Sequence, residues 1–374
     1  MQQITVLTSL EKATALLLDG LAAVAARDVA LADALGCVVA DARVSDRAVP
    51  AGNIAAIDGW ALRSRDLVGA SSYSPVALST PPVWVEAGGA MPDGADCVLE
   101  AALVEQTGSL VQVVAEAIPG QGVRRAGEDI AQGATILRAA QRLRPLDLLA
   151  AGQAGIAHLN IRNPRLHLLN VPAASEATLK LIASSARDYG CELAQSSAEG
   201  RDAASIGTAI ERIVASQACD LLVIIGGTGG GRTDATVAAL TARGKVFAHG
   251  IAIQPGRAVA IGRAGHVPVV ALPGAPAQAI AAWWTLVSPV IDRFSGCEPR
   301  RPVRLPLARK IASSVGVAEI VLLKEQNAAW LPLAIGDLPL DALARADAWI
   351  AIPGDSEGFA ANTPVDAYML RGSL

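Results

Sequence analysis

No Cys-x-x-Cys pair occurs anywhere in the chain. Its five cysteines (Cys37, Cys97, Cys191, Cys219, Cys297) stand alone, and its four histidines are scattered. Neither a zinc site nor a disulfide framework is therefore expected. No apolar run approaches the ~20 residues that a membrane helix needs. Met1 to Leu10 lacks a basic region followed by a long apolar core, so no secretory leader is read there. A net charge of −4 leaves no electrostatic footprint for nucleic acid. Internal repeats, low-complexity tracts and charge blocks are also missing. These absences predict a soluble, cytoplasmic protein with neither a membrane nor a nucleic acid as partner.

What is present is ample core. Hydrophobic residues make up 52% of the 374 and charged residues 18%, enough to build two to four domains. Ser9 precedes a run of leucines and alanines at helical spacing to Leu18, and a second helix is predicted over Leu31–Val39. From Arg47 to about Leu137, Gly and Pro punctuate short β-rich runs such as Leu110–Val114, which argues for a small all-β module. Arg144–Ala157 reads as helix again, with Pro145 in its first turn. Strands then alternate with helices: Leu166–Val171, Ser175–Tyr189, Glu192–Gln195, Ala203–Ser216, Leu221–Ile225, Asp234–Arg243, Ala258–Ile261, Val267–Leu272 and Ala277–Phe294. That alternation means crossover units on a mostly parallel sheet. Beyond Gly296 short β runs return, at Val303–Leu307, Glu319–Leu323, Ala348–Ile352 and Pro364–Leu370. The domains expected are 1–45 with 138–163 (helical linker), 46–137 (β-rich insertion), 164–296 (α/β, against which the N-terminal helix could pack) and 297–374 (C-terminal β).

The most informative segment follows the Leu221–Ile225 strand. Gly226, Gly227, Thr228, Gly229, Gly230 and Gly231 lead to Thr233 and Asp234, either of which could cap the next helix. Strand, glycine turn and helix N-terminus together let backbone N–H groups face an anion. The carboxylate of Asp234 suggests a metal–phosphate site; a tight turn without ligand is the ordinary alternative. Ligands in such sheets bind beyond the carboxyl ends of the strands, which adds two further turns. Pro273, Gly274 and Pro276 form a stiff strand-to-helix connection. Ser175 and Glu176 follow the first strand, where a simple N-cap and a dipole-favoured acid would serve equally well. Asp58 lies in an Asp-Gly turn beside Trp60, and Asp129 in an Arg-Arg-Ala-Gly-Glu-Asp loop; both motifs are commonly plain surface turns. Pro255, Gly256 and Arg257 precede a strand, and Arg257 could reach a phosphate bidentately.

The order of these pieces is more specific than any one of them. IDGWA (Ile57–Ala61), MPDGAD (Met91–Asp96), RRAGEDI (Arg124–Ile130) and LRPLDLLAAGQAGI (Leu143–Ile156) come first. GGTGGGRTD (Gly226–Asp234), IQPGRAVAIG, LPGAP and ADAWIAIPGDSEG follow. In this order the chain resembles the molybdopterin molybdenumtransferases, the MoeA and gephyrin E-domain family, over essentially its whole length. The resemblance implies an elongated multidomain α+β and α/β subunit. It would have a three-layer α/β molybdopterin-binding domain, a β-rich inserted domain, a C-terminal β-barrel-like domain and a helical dimerisation region. It implies a homodimer with its active site between subunits. The implied chemistry is insertion of molybdate into adenylylated molybdopterin, with Mg2+-dependent release of AMP. Asp58, Asp129 and Asp234 would be catalytic, and Asp58, Asp202 and Asp234 would hold Mg2+. Glu176, the glycine run, Pro255–Arg257 and Pro273, Gly274 and Pro276 would bind the cofactor precursor. A molybdoenzyme or another cofactor-biosynthesis protein is the further partner implied.

The chain also departs from the family. Ala87 falls where a threonine is usual, Gly229 replaces a serine, Gln254 a lysine and Ala275 an asparagine. The glycine and aspartate of the family's STGDEL turn are missing around Ala173–Ala177. These losses raise a second reading, a non-catalytic carrier of molybdopterin or of the finished cofactor. A generic dinucleotide-binding protein is disfavoured, because G-x-G-x-x-G spacing is absent.

Overall fold

A computed structural model describes residues 6–108, 110–172 and 174–370, and divides the chain into two units. One comprises Met1–Ala40, Ala140–Arg144 and Leu159–Leu374; the other Asp41–Ala139 and Pro145–His158. No described helix is long and apolar enough to cross a membrane.

The larger unit is built on a six-stranded sheet. Its strands lie in the order Glu192–Ser197, Arg165–Asn170, Leu221–Ile225, Val267–Leu272, Ala260–Ala264, Lys245–His249. The first four are mutually parallel, and Ala260–Ala264 runs antiparallel to both of its neighbours. Side chains alternate between faces, so each strand feeds two cores. Leu166, Leu168, Val223, Ile225, Val270 and Leu272 join one, with the N-terminal helix Leu10–Leu18 and the long helix starting at Pro276. Leu169, Leu222, Ile224, Val269 and Ala271 join the other, against the helices Ala203–Ala215 and Thr236–Arg243. This is the expected three-layer α/β arrangement. A seven-stranded sheet at the C-terminal end of the chain is centred on Ala318–Gln326, and Ile251–Gln254 and Thr8–Ser9 add parallel strands to it. The smaller unit consists of short antiparallel pairings, such as Gly59–Leu62 with Val83–Val85 and Cys97–Leu99, and the helix Pro145–Gln153.

Ser9 caps the first helix as expected, its hydroxyl accepting from the Lys12 N–H at 3.3 Å. The second helix does not form. Leu31–Asp33 makes one 3-10 turn, Gly36 takes φ +74°, and Val38–Val39 is a strand. Five residues before a left-handed glycine are too few to sustain a helix. The helix predicted from Asp234 starts at Thr236, for a reason given below. The strands Lys245–His249, Ile251–Gln254 and Ala329–Ile335 and the helix Leu340–Arg345 had no clear periodic signal. In the long C-terminal helix of the α/β sheet, Trp283–Val287 winds as a π turn ahead of Pro289, whose ring nitrogen cannot donate.

All five thiols are unpaired, and four are buried. Burial pushes Cys97 and Cys219 up to about 11 and Cys191 up to about 12, and it raises Cys37 and Cys297 as well. Since the thiolate is the reactive form, the native protein should react with a disulfide reagent at pH 8 far more slowly than a free thiol. Cys297, the least buried, should react first, and denaturant should release all five; immediate native reaction of Cys191 or Cys219 would contradict this packing.

Candidate functional site

Parallel register brings the carboxyl ends of three strands level. Asn170 pairs with Ile225, and Ile225 with Leu272. The ladder continues one step further, through Val171 N–H to the Ile225 carbonyl at 3.0 Å and Gly226 N–H to the Leu272 carbonyl at 2.9 Å. The turns leaving these strands therefore meet. A Cβ placed on Gly274 would lie 3.8 Å from the Gly226 Cα and 3.7 Å from Ala174, and a Cβ on Gly226 would touch Ala174 at 3.0 Å. Gly226 and Gly227 take φ +98° and +69°, the left-handed region that favours glycine. Thr236 holds their turn. It is fully buried, its hydroxyl donates to the Gly226 carbonyl at 2.7 Å, and its N–H donates to the Gly227 carbonyl at 3.0 Å. Thr178 ties down the third turn by donating to the Gly274 carbonyl at 2.7 Å.

Between the turns lies a cavity of about 280 Å3, walled by Gly226–Gly229, Pro273–Ala275, Pro172, Ala174 and Ala258. Its polar side chains among the described residues are Arg201, Thr228, Asp234 and Gln278. Asp234 does not cap the following helix. Its Oδ2 accepts from the Gly231 N–H at 2.9 Å, which closes the glycine turn on itself and delays the helix to Thr236. Its Oδ1 is 3.7 Å from Arg201 Nη2, within ion-pair range but too far for a hydrogen bond. Thr228 is 1% exposed; its carbonyl accepts from His249 Nε2 at 2.9 Å, which puts a proton on that ring nitrogen.

The other expected residues are placed as follows. Gly230 is exposed on the outer part of the turn, and Pro276 opens the next helix. Pro255 follows a cis bond, and Gly256 (φ +122°) backs onto the Gln278 carbonyl, a Cβ there being 3.4 Å away. Arg257 is exposed and is not in the cavity wall. Glu176 is exposed and salt-bridged to Lys180 at 2.8 Å, which holds its carboxyl below the usual range. Asp202 is exposed too. Its two oxygens accept from the Ser205 N–H and hydroxyl, which lower its pKa, so its local role is that of a helix cap. Ala173 lies outside the described residues. In the smaller unit, Asp58 Oδ1 accepts from the Ala87 N–H at 2.7 Å, and Asp129 is paired with Arg124. Among the described residues, no three His, Cys, Asp or Glu gather as a metal site.

Sequence reasoning missed Arg201, Thr178, Thr236, His249 and Gln278. Arg201 could have been found, because it stands just before the Asp202 cap, beyond the carboxyl end of the neighbouring parallel strand. The threonines are ordinary helix residues in sequence, and carry no such signal.

Comparison with known proteins fits this geometry. Residues 8–155 match the model of the MoeA N-terminal region (domain I and II), and residues 172–293 match the probable molybdopterin binding domain. The chain belongs to the MoeA family. It is 27% identical to molybdopterin molybdenumtransferase 2 of Mycobacterium tuberculosis over 74% of this chain and 77% of that one. It is 28% identical to the molybdopterin molybdenumtransferase of Synechococcus elongatus over 84% and 87%. The crystal structure of the molybdopterin biosynthesis MoeA protein of Pyrococcus horikoshii superposes with a TM-score of 0.65 at 25% identity, covering 98% of this chain and 100% of that one. The multidomain α+β and α/β class is thus the MoeA fold.

Thr236→Val should leave the buried Gly226 carbonyl without a donor and lower unfolding free energy by about 1–3 kcal/mol. Thr236→Ser should recover most of it. Chemical denaturation checks this; equal stability of all three proteins would mean that the hydroxyl does not hold the turn.

Proposed function

We propose that this MoeA-family chain acts in molybdenum cofactor biosynthesis, inserting molybdate into adenylylated molybdopterin and releasing AMP. The observation that carries this reading is the cavity at the strand ends, where left-handed glycines keep side chains away and Asp234 presents one carboxylate oxygen. In the chemistry proposed, the turn at Gly226–Gly229 and the Pro273–Gly274 turn bind the phosphate-bearing precursor. Mg2+ commonly uses one or two carboxylates and completes its shell with water and substrate phosphate. Asp234 fits that pattern, because among the described residues its Oδ1 makes no hydrogen bond. When bound, the ion would neutralise charge on the phosphate being cleaved. Asp58 and Asp129 of the smaller unit are proposed as further catalytic carboxylates.

The departures from family pattern are less damaging than sequence alone suggests. The Ala87 backbone N–H, not a side chain, holds Asp58. At Gly229 a Cβ would stand 2.7 Å from Asp234 Oδ2, so the glycine lets that carboxylate fold inward. Relatives named as transferases also favour the enzyme over the carrier.

The reading extends to a cytoplasmic homodimer. Five unpaired thiols suit a reducing compartment. On the helix Pro145–Gln153, Leu146 and Leu149 lie on one face and are each 60% exposed, while the inward residues are Asp147 and Ala151. That outward apolar face is the proposed subunit contact.

Purified protein supplied with adenylylated molybdopterin, Mg2+ and molybdate should release AMP, and Asp234→Ala should cut the rate by roughly 10²–10³-fold. Tight pterin binding without molybdate-dependent AMP would overturn the transferase reading. Leu146→Lys/Leu149→Lys should shift the sedimentation mass from dimer to monomer; a monomeric wild type would remove the proposed contact.

A further inference from the structure

Thr236 and Asp234 hold the two ends of the glycine turn, at Gly226 and Gly227 and at Gly231. Between those ends lie Thr228, Gly229 and Gly230. Among the described residues they make one hydrogen bond, from His249 Nε2 to the Thr228 carbonyl at 2.9 Å. A span with two adjacent glycines keeps much backbone freedom, so a single anchor there matters more than it would in a strand. That anchor comes from across the sheet. His249 pairs with Ala260, Ala260 with Ala271 and Ala271 with Ile224. The last residue of the edge strand Lys245–His249 is therefore level with the end of Leu221–Ile225, at the rim from which the turn departs.

The backbone beyond His249 belongs to a second turn. Gly250 takes φ +89°, and its N–H donates to the Val259 carbonyl at 3.0 Å. The Ile251 N–H donates to the Arg257 carbonyl at 3.0 Å. These two bonds close the loop that carries Pro255, Gly256 and Arg257, the segment expected from the sequence to bind the cofactor precursor. The Gly250 carbonyl accepts from the Thr8 N–H at 2.9 Å, which fixes the base of that loop. His249 thus meets the glycine turn through its side chain and the loop base through its main chain.

We propose that His249 is a positioning residue, whose imidazole fixes the middle of the glycine turn and keeps it in step with the loop at 255–257. It acts through the turn and not on the substrate. Without the bond, Thr228, Gly229 and Gly230 move freely while Thr236 and Asp234 still hold the ends, so the fold survives and the binding surface loses its shape. The effect on substrate rests on the function proposed above; the effect on the turn does not. A glutamine amide can donate from about the place of the imidazole Nε2. Leucine lacks a donor, and asparagine lacks the reach.

Hydrogen–deuterium exchange of the full chain, read by peptide mass, is the test. In His249→Leu and His249→Asn, segments 226–234 and 250–259 should exchange about three- to tenfold faster, the worth of one hydrogen bond. The strands Leu221–Ile225 and Val267–Leu272 should exchange as in wild type, and His249→Gln should restore both turns. In AMP release, the KM for adenylylated molybdopterin should rise about three- to tenfold in the leucine and asparagine variants, with kcat changed less than about twofold. Glutamine should again restore it. The asparagine variant supplies the reading if the leucine variant does not fold. The proposal fails if both turns keep wild-type exchange in these variants, if the strands loosen equally, or if glutamine does not rescue. Exchange as expected in a protein that releases no AMP would remove the transferase reading alone. AMP release with KM unchanged in both variants would remove the positioning role alone.

Discussion

The level parallel register of three strands is the constraint on which the cavity depends. Asn170, Ile225 and Leu272 end side by side because their apolar residues alternate into two separate cores. A slip by one residue would exchange the faces of three to five buried aliphatics at once, so register is strongly held. Only with those ends aligned can the turns after them approach to within the 3.7–3.8 Å distances that a Cβ on Gly274 would meet. Small residues at Ala174, Gly226 and Gly274 are a consequence of that approach, since any larger side chain would meet the neighbouring turn.

Hydroxyl groups then convert proximity into a fixed shape. Thr236 and Thr178 come from two different helices, yet each spends its hydroxyl on a turn carbonyl. In this way the helices that cover the sheet also set the turns at its edge. Thr228 contrasts with both. It is equally buried, and His249 fixes its carbonyl, but its own hydroxyl is left over among the described residues. The same residue type thus serves the turns through its hydroxyl at two positions and through its backbone carbonyl at the third.

How much of this was legible in the sequence varied with the kind of signal. Leu221–Ile225 and Val267–Leu272 were read to the residue, because fully buried parallel strands are continuous aliphatic runs. Ile251–Gln254 looks similar in sequence but leaves the α/β sheet to pair with the C-terminal one, a tertiary choice that no local pattern encodes. The glycine turn and the Pro-Gly-Ala-Pro turn were found from chain grammar. The basic residue was not: Arg257 stands in a recognisable motif and is exposed, outside the cavity wall, while Arg201 sits on that wall in a loop that carries no motif. Strand order, rather than motif, decides which side chains converge there.

Gly229 shows why a substitution away from family pattern need not mean lost chemistry. Read alone, it is a missing hydroxyl. In the fold, the space a Cβ would take is within 2.7 Å of Asp234 Oδ2, and a Cβ on Gly231 would come within 2.9 Å of the same atom. The carboxylate is seated between two glycines and anchored by the Gly231 N–H. A serine at 229 would force that oxygen to move, and with it the Oδ1 that faces Arg201. The glycine and the aspartate are therefore one structural decision: the turn gives up a side-chain donor and gains an inward carboxylate set opposite a guanidinium.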